Sequence, residues 1–304
     1  MTEMAGTRKR TRARNRAVVR PSDVAADRPS DRTSDSTAAG GKHNLLGIGI
    51  HAVDYQAALA RIVAAAKDRR PLAVSALAVH GVMTGVLDSE HRFRLNHLDL
   101  IVPDGQPVRW GLNLLHRTRL PDRVYGPTLM LKTCERAAEE GLPIFLFGGS
   151  EDLLTMLKAK LTERFPRLRF AGARASRFRR ITDAERDEVI AEIRDSGAAI
   201  TFIGLGCPRQ EVWAFEYREA LSMPLLAVGA AFNFHAGLLP QAPPRMQRNG
   251  LEWLYRFWRE PRRLWRRYML LNPLYLTLLA LQWIGLRRVP TTRCTKPTGR
   301  VNYG

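Results

Sequence analysis

Three short stretches hold residue types from which a group-transfer site can be built. In "LIVPDGQPVRW" an unbroken apolar run stops at Asp104 and Gly105, which sets a single carboxylate where a strand would give out. A lone ionised acid facing a cleft is what removal of a proton from a sugar hydroxyl needs, although Asp-Gly is equally a common turn pair. In "LPIFLFGGS" Gly148 and Gly149 follow a second apolar run and precede a helix that opens on acidic residues. Backbone N–H groups and a helix N-terminus there can face an anion such as a diphosphate, or the glycines can serve merely to turn the chain. In "FIGLGCPRQE" Gly204 and Gly206 end a third run, with Gln210 and Glu211 at the edge of the same prospective cleft. An amide in that place can hydrogen-bond a sugar or a nucleobase, or simply open a helix.

Missing signals narrow the chemistry. Neither a GxGxxG with its later acid nor a GxxxxGK[ST] occurs, so dinucleotide and P-loop readings lack their motifs. No Asp-x-Asp follows an apolar run to hold a divalent ion against a diphosphate. Leaving-group charge would then fall to helix termini and arginine, with no metal and no resident cofactor expected. Cys134, Cys207 and Cys294 lie far apart without metal-ligand or CxxC spacing, which fits a reducing compartment and excludes a disulfide framework.

The elements that must position these residues follow from periodicity. Six apolar runs of strand length occur at 71–79, 98–105, 142–150, 168–174, 198–206 and 224–232, and amphipathic stretches such as "EDLLTMLKAKLTERFP" and "TDAERDEVIAEIRDSG" separate most of them. The alternation predicts an α/β fold, a Rossmann-like and mostly parallel sheet with helices on both faces. Ligands of such sheets sit beyond the carboxyl ends of the strands, where Asp104 and the glycine pairs fall.

The formal net charge of +19 is concentrated at the ends: +5 over residues 1–43, +11 over 245–304 and only +3 between them. A near-neutral core need not bind a polyanion. The chain is expected to divide into a disordered basic tail (1–43), an α/β core (44–244), an Arg/aromatic-rich helical appendage (245–288) and a disordered end (289–304). Within the appendage, "GLEWLYRFWREPRRLWRRY" suits an anionic substrate, a membrane surface or nucleic acid, with Pro261 placed to open a second helix. The apolar stretch 269–286 borders on the length of a membrane span, but Asn272, Pro273 and Gln282 weaken that reading. An interfacial or re-entrant helix is preferred, with a helix packed on the domain or on a partner subunit as the alternative.

Taken together, "VPDGQPVRW", "PDRVYGPTL", "IFLFGGS", "FIGLGCPRQEVW", "VGAAFNFHAG" and "APPRMQRNGLEWLYRFWREPRRLWRRY" resemble the WecG/TagA/CpsF family of bacterial glycosyltransferases, in order, from about Leu45 to Leu286. The resemblance implies a UDP-sugar donor of the N-acetylmannosamine type or a related hexose, inversion to a β-linkage without a metal, and an acceptor saccharide on polyprenyl diphosphate. It implies a peripheral protein at the cytoplasmic face of the plasma membrane, acting in cell-surface polysaccharide synthesis. By the same resemblance Asp104 matches the proposed general base and Arg123 an arginine of the active-site pocket. Ser75, Gly148, Gly149, Gly204, Gly206, Gln210 and Glu211 fall at donor-side positions, and Arg256, Arg263 and Arg266 match arginines thought to meet the acceptor diphosphate. One departure stands out: where the family reads Thr-x-Asn after its first core strand, this chain has Ser75-Ala76-Leu77, and His80 is the nearest replacement polar group. Expected partners are the donor, the lipid-linked acceptor, an anionic membrane surface and a second copy of the chain, without nucleic acid. A basic nucleic-acid-binding protein and a catalytically inert membrane scaffold are the competing readings.

Overall fold

The structure, a computed structural model, describes Met1 and residues 41–304, without the side chains of Pro244, Arg263, Arg266 and Arg267. The basic tail expected over 1–43 therefore falls almost wholly outside the described residues. The described chain opens with an antiparallel hairpin, β1 (Lys42–Leu45) and β2 (Ile48–His51). Its two-residue turn, Leu46-Gly47, has φ of 57° and 89°, the backbone that such a hairpin requires. Helix α1 (Tyr55–Lys67) follows, capped by Asp54, whose Oδ1 accepts from the Ala57 N–H at 2.8 Å.

The alternating region then runs β3 (Leu72–Leu77), α2 (Val79–Leu87), α3 (Ser89–Asn96), β4 (Leu100–Pro103), α4 (Gln106–His116), α5 (Gly126–Glu140), β5 (Ile144–Phe147) and α6 (Glu151–Arg164). It continues through β6 (Phe170–Arg174), α7 (Asp183–Asp195), β7 (Ile200–Ile203), α8 (Arg209–Leu221), β8 (Pro224–Ala227) and α9 (Ala231–His235). Each of the six apolar runs supplies one strand. All pairings among them are parallel, in the order β4-β3-β8-β7-β5-β6. Successive side chains of a strand go to opposite faces. Thus Leu77, Ile101, Phe145, Phe147 and Leu225 join one buried cluster, and Val74, Leu100, Val102, Leu146 and Leu226 the other. Helices cover both faces, as the continuous apolar character of the strands demands.

The appendage comprises α10 (Pro244–Arg248), α11 (Glu252–Arg259), α12 (Pro261–Arg266), a π-helical turn (Arg267–Leu271) and α13 (Asn272–Trp283). Helix α13 packs on the domain, burying Tyr275, Leu278 and Leu279. Tyr275 OH donates to Pro107 O at 2.9 Å, and Gln282 bridges to the hairpin through Asn44 O and the Leu46 N–H. The polar residues that weakened a membrane reading are thus contacts: Gln282 docks the helix, and Pro273 stands in its first turn, where a proline is tolerated. Among the described residues no helix is long and apolar enough to cross a membrane.

The end of the chain differs from expectation. The sequence predicts a disordered end over 289–304; in the structure Asn44 Nδ2 donates to Val289 O at 2.8 Å, Asn96 Nδ2 to Thr291 O at 2.8 Å, and Asn302 Nδ2 to Asp183 Oδ1 at 2.7 Å. Hydrogen bonds to side chains far away in sequence hold this segment, most of them through its backbone, and such bonding leaves no trace in local hydrophobicity.

Candidate active site

The segments that leave all six parallel strands at their carboxyl ends border one cleft of about 910 Å³. The appendage closes over it, contributing Glu252, Trp253, Arg256, Leu264 and Tyr268 to the lining. Asp104 follows β4 directly and is partly open to the cleft. Its backbone N–H is held by Leu77 O at 3.2 Å, and the Gly126 N–H, at the start of α5, donates to its Oδ1 at 2.7 Å. One carboxylate oxygen is thereby fixed and the other can take a proton. Burial pushes the carboxyl up from 3.8 to about 6, against the pull of the Arg123 guanidinium and the Gly126 N–H. A group with that value is still mostly ionised at pH 7 and is a stronger base than an ordinary aspartate.

Arg123 is buried beside it. Its Nη2 lies 2.7 Å from Glu252 Oε2, and its guanidinium stacks 4.2 Å from the centroid of the Tyr125 ring. Tyr125 OH donates to the second oxygen, Glu252 Oε1, at 2.8 Å. Burial works against the charge on Arg123, but Asp104 and Glu252 together outweigh it and hold the guanidinium protonated. Burial, then the charges of Glu252 and Asp104, raise the Tyr125 phenol, so it stays a neutral donor. Glu252 opens α11, so this pair is also the joint between core and appendage. The sequence reading missed Glu252 because it stands among the six arginines of residues 250–268, in a segment whose charge reads as basic.

The donor-side expectations separate into three groups. Gly149, Gly204, Gly206, Gln210 and Glu211 line the cleft. Gly148 does not line it: with φ of 109°, it lies so close to β7 that a Cβ would meet the Gly204 carbonyl carbon at 2.9 Å. Its N–H is taken by Arg174 O at 3.0 Å, so its part is to let two strand ends approach and not to cradle an anion. Ser75, expected to contact the donor, is fully buried beneath the cleft and donates to Glu211 Oε1 at 3.1 Å. Its side chain alternates away from the cleft because it lies inside β3, not after it.

Gln210 Nε2 donates to the same Glu211 Oε1 at 2.9 Å, which turns the amide oxygen towards Gly229. That oxygen is buried without a hydrogen-bond partner among the described residues. Burial pushes the Glu211 carboxyl up, opposed by the hydrogen bonds from Gln210 and Ser75. His80 and Leu77, at the departure from Thr-x-Asn, both line the cleft.

Of the appendage arginines, Arg256 lines the cleft and its guanidinium lies 5.7 Å from the Phe234 ring centroid. It is also close enough to Asp104 to favour its charged form. The side chains of Arg263 and Arg266 lie outside the described residues. Among the aromatics, Trp253 and Phe257 pack on Tyr268, at 5.9 and 6.4 Å between centroids. Of these rings, Trp253 and Tyr268 line the roof of the cleft. The model of the glycosyl transferase WecG/TagA/CpsF family matches residues 43–289, from the hairpin to the end of α13 and just beyond. With most of the chain so matched, and with an acid, two arginines and a glycine turn gathered at the carboxyl edge of a parallel sheet, the protein belongs to the WecG/TagA/CpsF family of glycosyltransferases, which act in cell-surface polysaccharide synthesis.

Proposed function

We propose that the chain is an inverting glycosyltransferase that moves a sugar, N-acetylmannosamine or a related hexose, from its UDP donor to a saccharide carried on polyprenyl diphosphate. The observation that carries this reading is Asp104, a carboxylate raised to about 6 and pinned through one oxygen in a cleft that also holds Arg123 and Arg256. In a single displacement its other oxygen accepts the proton of the acceptor hydroxyl while that hydroxyl attacks the anomeric carbon. UDP leaves from the opposite face. Negative charge growing on the diphosphate is met by backbone N–H groups at the Gly149–Ser150 turn, where α6 begins, and by arginine. Gln210, with its buried amide oxygen unpaired, suits a donor hydroxyl or a base N–H.

The apolar roof and the basic appendage suit an acceptor whose diphosphate emerges from a lipid surface, at the cytoplasmic face of the membrane. The experiment is a panel of UDP-sugars with a short-chain lipid diphosphate-saccharide acceptor, read by released UDP and by the anomeric configuration of the product. Transfer from one donor with inversion is expected. Transfer with retention, or none from N-acetylmannosamine, glucuronic acid and glucose donors, would refute the assignment.

A further inference from the structure

The strand order sets a direction along the cleft. Asp104 leaves β4 at one edge of the sheet and Phe178 follows β6 at the other, five inter-strand steps apart, roughly 24 Å at about 4.8 Å per step. Gly149 and Ser150, beyond β5, lie between them in the lining. A donor whose anomeric carbon is near Asp104 and whose diphosphate meets that turn carries its base onward, towards β6. The aromatic side chain waiting there is Phe178, which lines the cleft and is 51% exposed. Its φ is 53°, a left-handed backbone that a bulky residue keeps only where its surroundings enforce it.

Those surroundings are Gly149, Ser176 and Arg209 together with residues 301–304. The Ser176 N–H is held by Gly149 O at 3.0 Å, and the Ser176 hydroxyl accepts from the Phe178 N–H at 2.9 Å while donating to Gly304 O at 2.6 Å. The Ile181 N–H donates to Asn302 O at 2.9 Å, and the Gly304 N–H to Arg179 O at 3.1 Å. Arg209 donates to Phe178 O at 3.4 Å and lies 5.6 Å from the Tyr303 ring centroid. The segment is itself anchored, since the Glu216 carboxylate on α8 takes the N–H groups of Val301 and Asn302 at 2.8 and 3.0 Å. The contacts made by Val301, Asn302, Tyr303 and Gly304 come from residues beyond the stretch matched by the family, 43–289.

We propose that Phe178 is the platform on which the nucleobase of the donor stacks, and that residues 300–304 are the clamp that holds it in place; this rests on the sugar-nucleotide reading above. The test uses the full chain with UDP and inorganic diphosphate as probes in calorimetric titration. Phe178→Ala weakens UDP by about tenfold, the usual worth of one base–aromatic stack, and leaves diphosphate unchanged because it has no base. Phe178→Trp restores UDP affinity. The ring is half exposed, so folding is not at stake in either variant. Removing residues 300–304, or making Asn302→Ala, weakens UDP in the same direction and adds nothing in the Phe178→Ala background. In turnover assays the donor KM rises while kcat stays within about twofold. Equal UDP affinity in Phe178→Ala overturns the platform, and a truncation that weakens diphosphate as much as UDP overturns the clamp. Failure of the unmodified chain to bind UDP is a different result and removes the donor reading itself.

Discussion

Asp104 owes its basicity to a contest between burial, which raises its pKa, and Arg123 with the Gly126 N–H, which lower it; the outcome is about 6. As pH falls through that value the base is protonated, so kcat/KM should decline on an acid limb with a midpoint near 6. Asp104→Asn should lose about 10²–10⁴-fold in kcat, the range for one general base, while UDP affinity, read by calorimetry, holds. A variant with near-normal turnover removes Asp104 from the mechanism. Stability gives an independent check whose sign is opposite to that of a salt-bridged acid. With its carboxyl raised, the folded state binds more protons than the unfolded chain between pH 4 and 6, so Asp104 costs stability as pH rises through that window. Relative to wild type, Asp104→Asn should therefore gain in urea midpoint above pH 6 and lose that gain near pH 4. Asp104 was legible in the sequence because an apolar run that stops at a single acid is a local pattern. Ser75 was misplaced because a serine inside a strand faces one side or the other by register alone, and Glu252 was missed because its partners, Arg123 and Tyr125, lie more than a hundred residues away.

The joint between α11 and the core depends on a charge pair that cannot be opened cheaply. The side chains of Arg123 and Glu252 are only 9% and 12% exposed, so Glu252→Ala leaves a buried guanidinium with Asp104 as its remaining counter-charge. Breaking such a pair costs about 3–5 kcal/mol where no other partner takes over, and Asp104 should recover part of that. The predicted signature is a lower unfolding midpoint together with a lower kcat, since Arg123 and Asp104 are drawn together and the base is held in its charged form. Glu252→Gln, which keeps an oxygen for Tyr125, should lose less than Glu252→Ala on both measures; equal losses would argue against the joint. Gly148→Ala separates packing from anion binding in the same way. A Cβ there meets the Gly204 backbone at 2.9 Å with φ at 109°, so the change should lower the thermal midpoint strongly, and UDP affinity per folded molecule should be retained. The six strands and their helices could be read from periodicity because each element carries its own apolar pattern. The hairpin β1–β2 and the course of residues 289–304 could not, since Lys42–Leu45 is mostly polar and side-chain-held backbone carries almost no apolar pattern.

The C-terminal fifth of the chain roofs the cleft, and we propose that it also meets a membrane surface, two roles that can be tested apart. The appendage roofs the cleft and docks α13 on the core, and it also leaves Trp258, Leu276, Trp283, Ile284 and Leu286 exposed, with Trp258 at 81% and Leu286 at 76%. Arg259, Arg262, Arg287 and Arg288 are exposed as well, in a segment of net charge +11 over residues 245–304. Apolar side chains that reach about 5–10 Å into a headgroup layer, with arginines at its level, make an interfacial anchor that needs no spanning helix. Each large side chain fully withdrawn from water contributes about 1.5–3 kcal/mol, so the triple change Trp258→Ser, Leu276→Ser, Leu286→Ser should weaken partitioning onto vesicles containing phosphatidylglycerol by well over about tenfold. High salt should weaken it further through the arginines alone. UDP affinity should stay at the wild-type value, because none of the three side chains lines the cleft. Removal of residues 300–304 should do the reverse, sparing vesicle binding and impairing UDP. A truncation that released the protein from vesicles, or a triple variant that still sedimented with them, would overturn this assignment of the anchor.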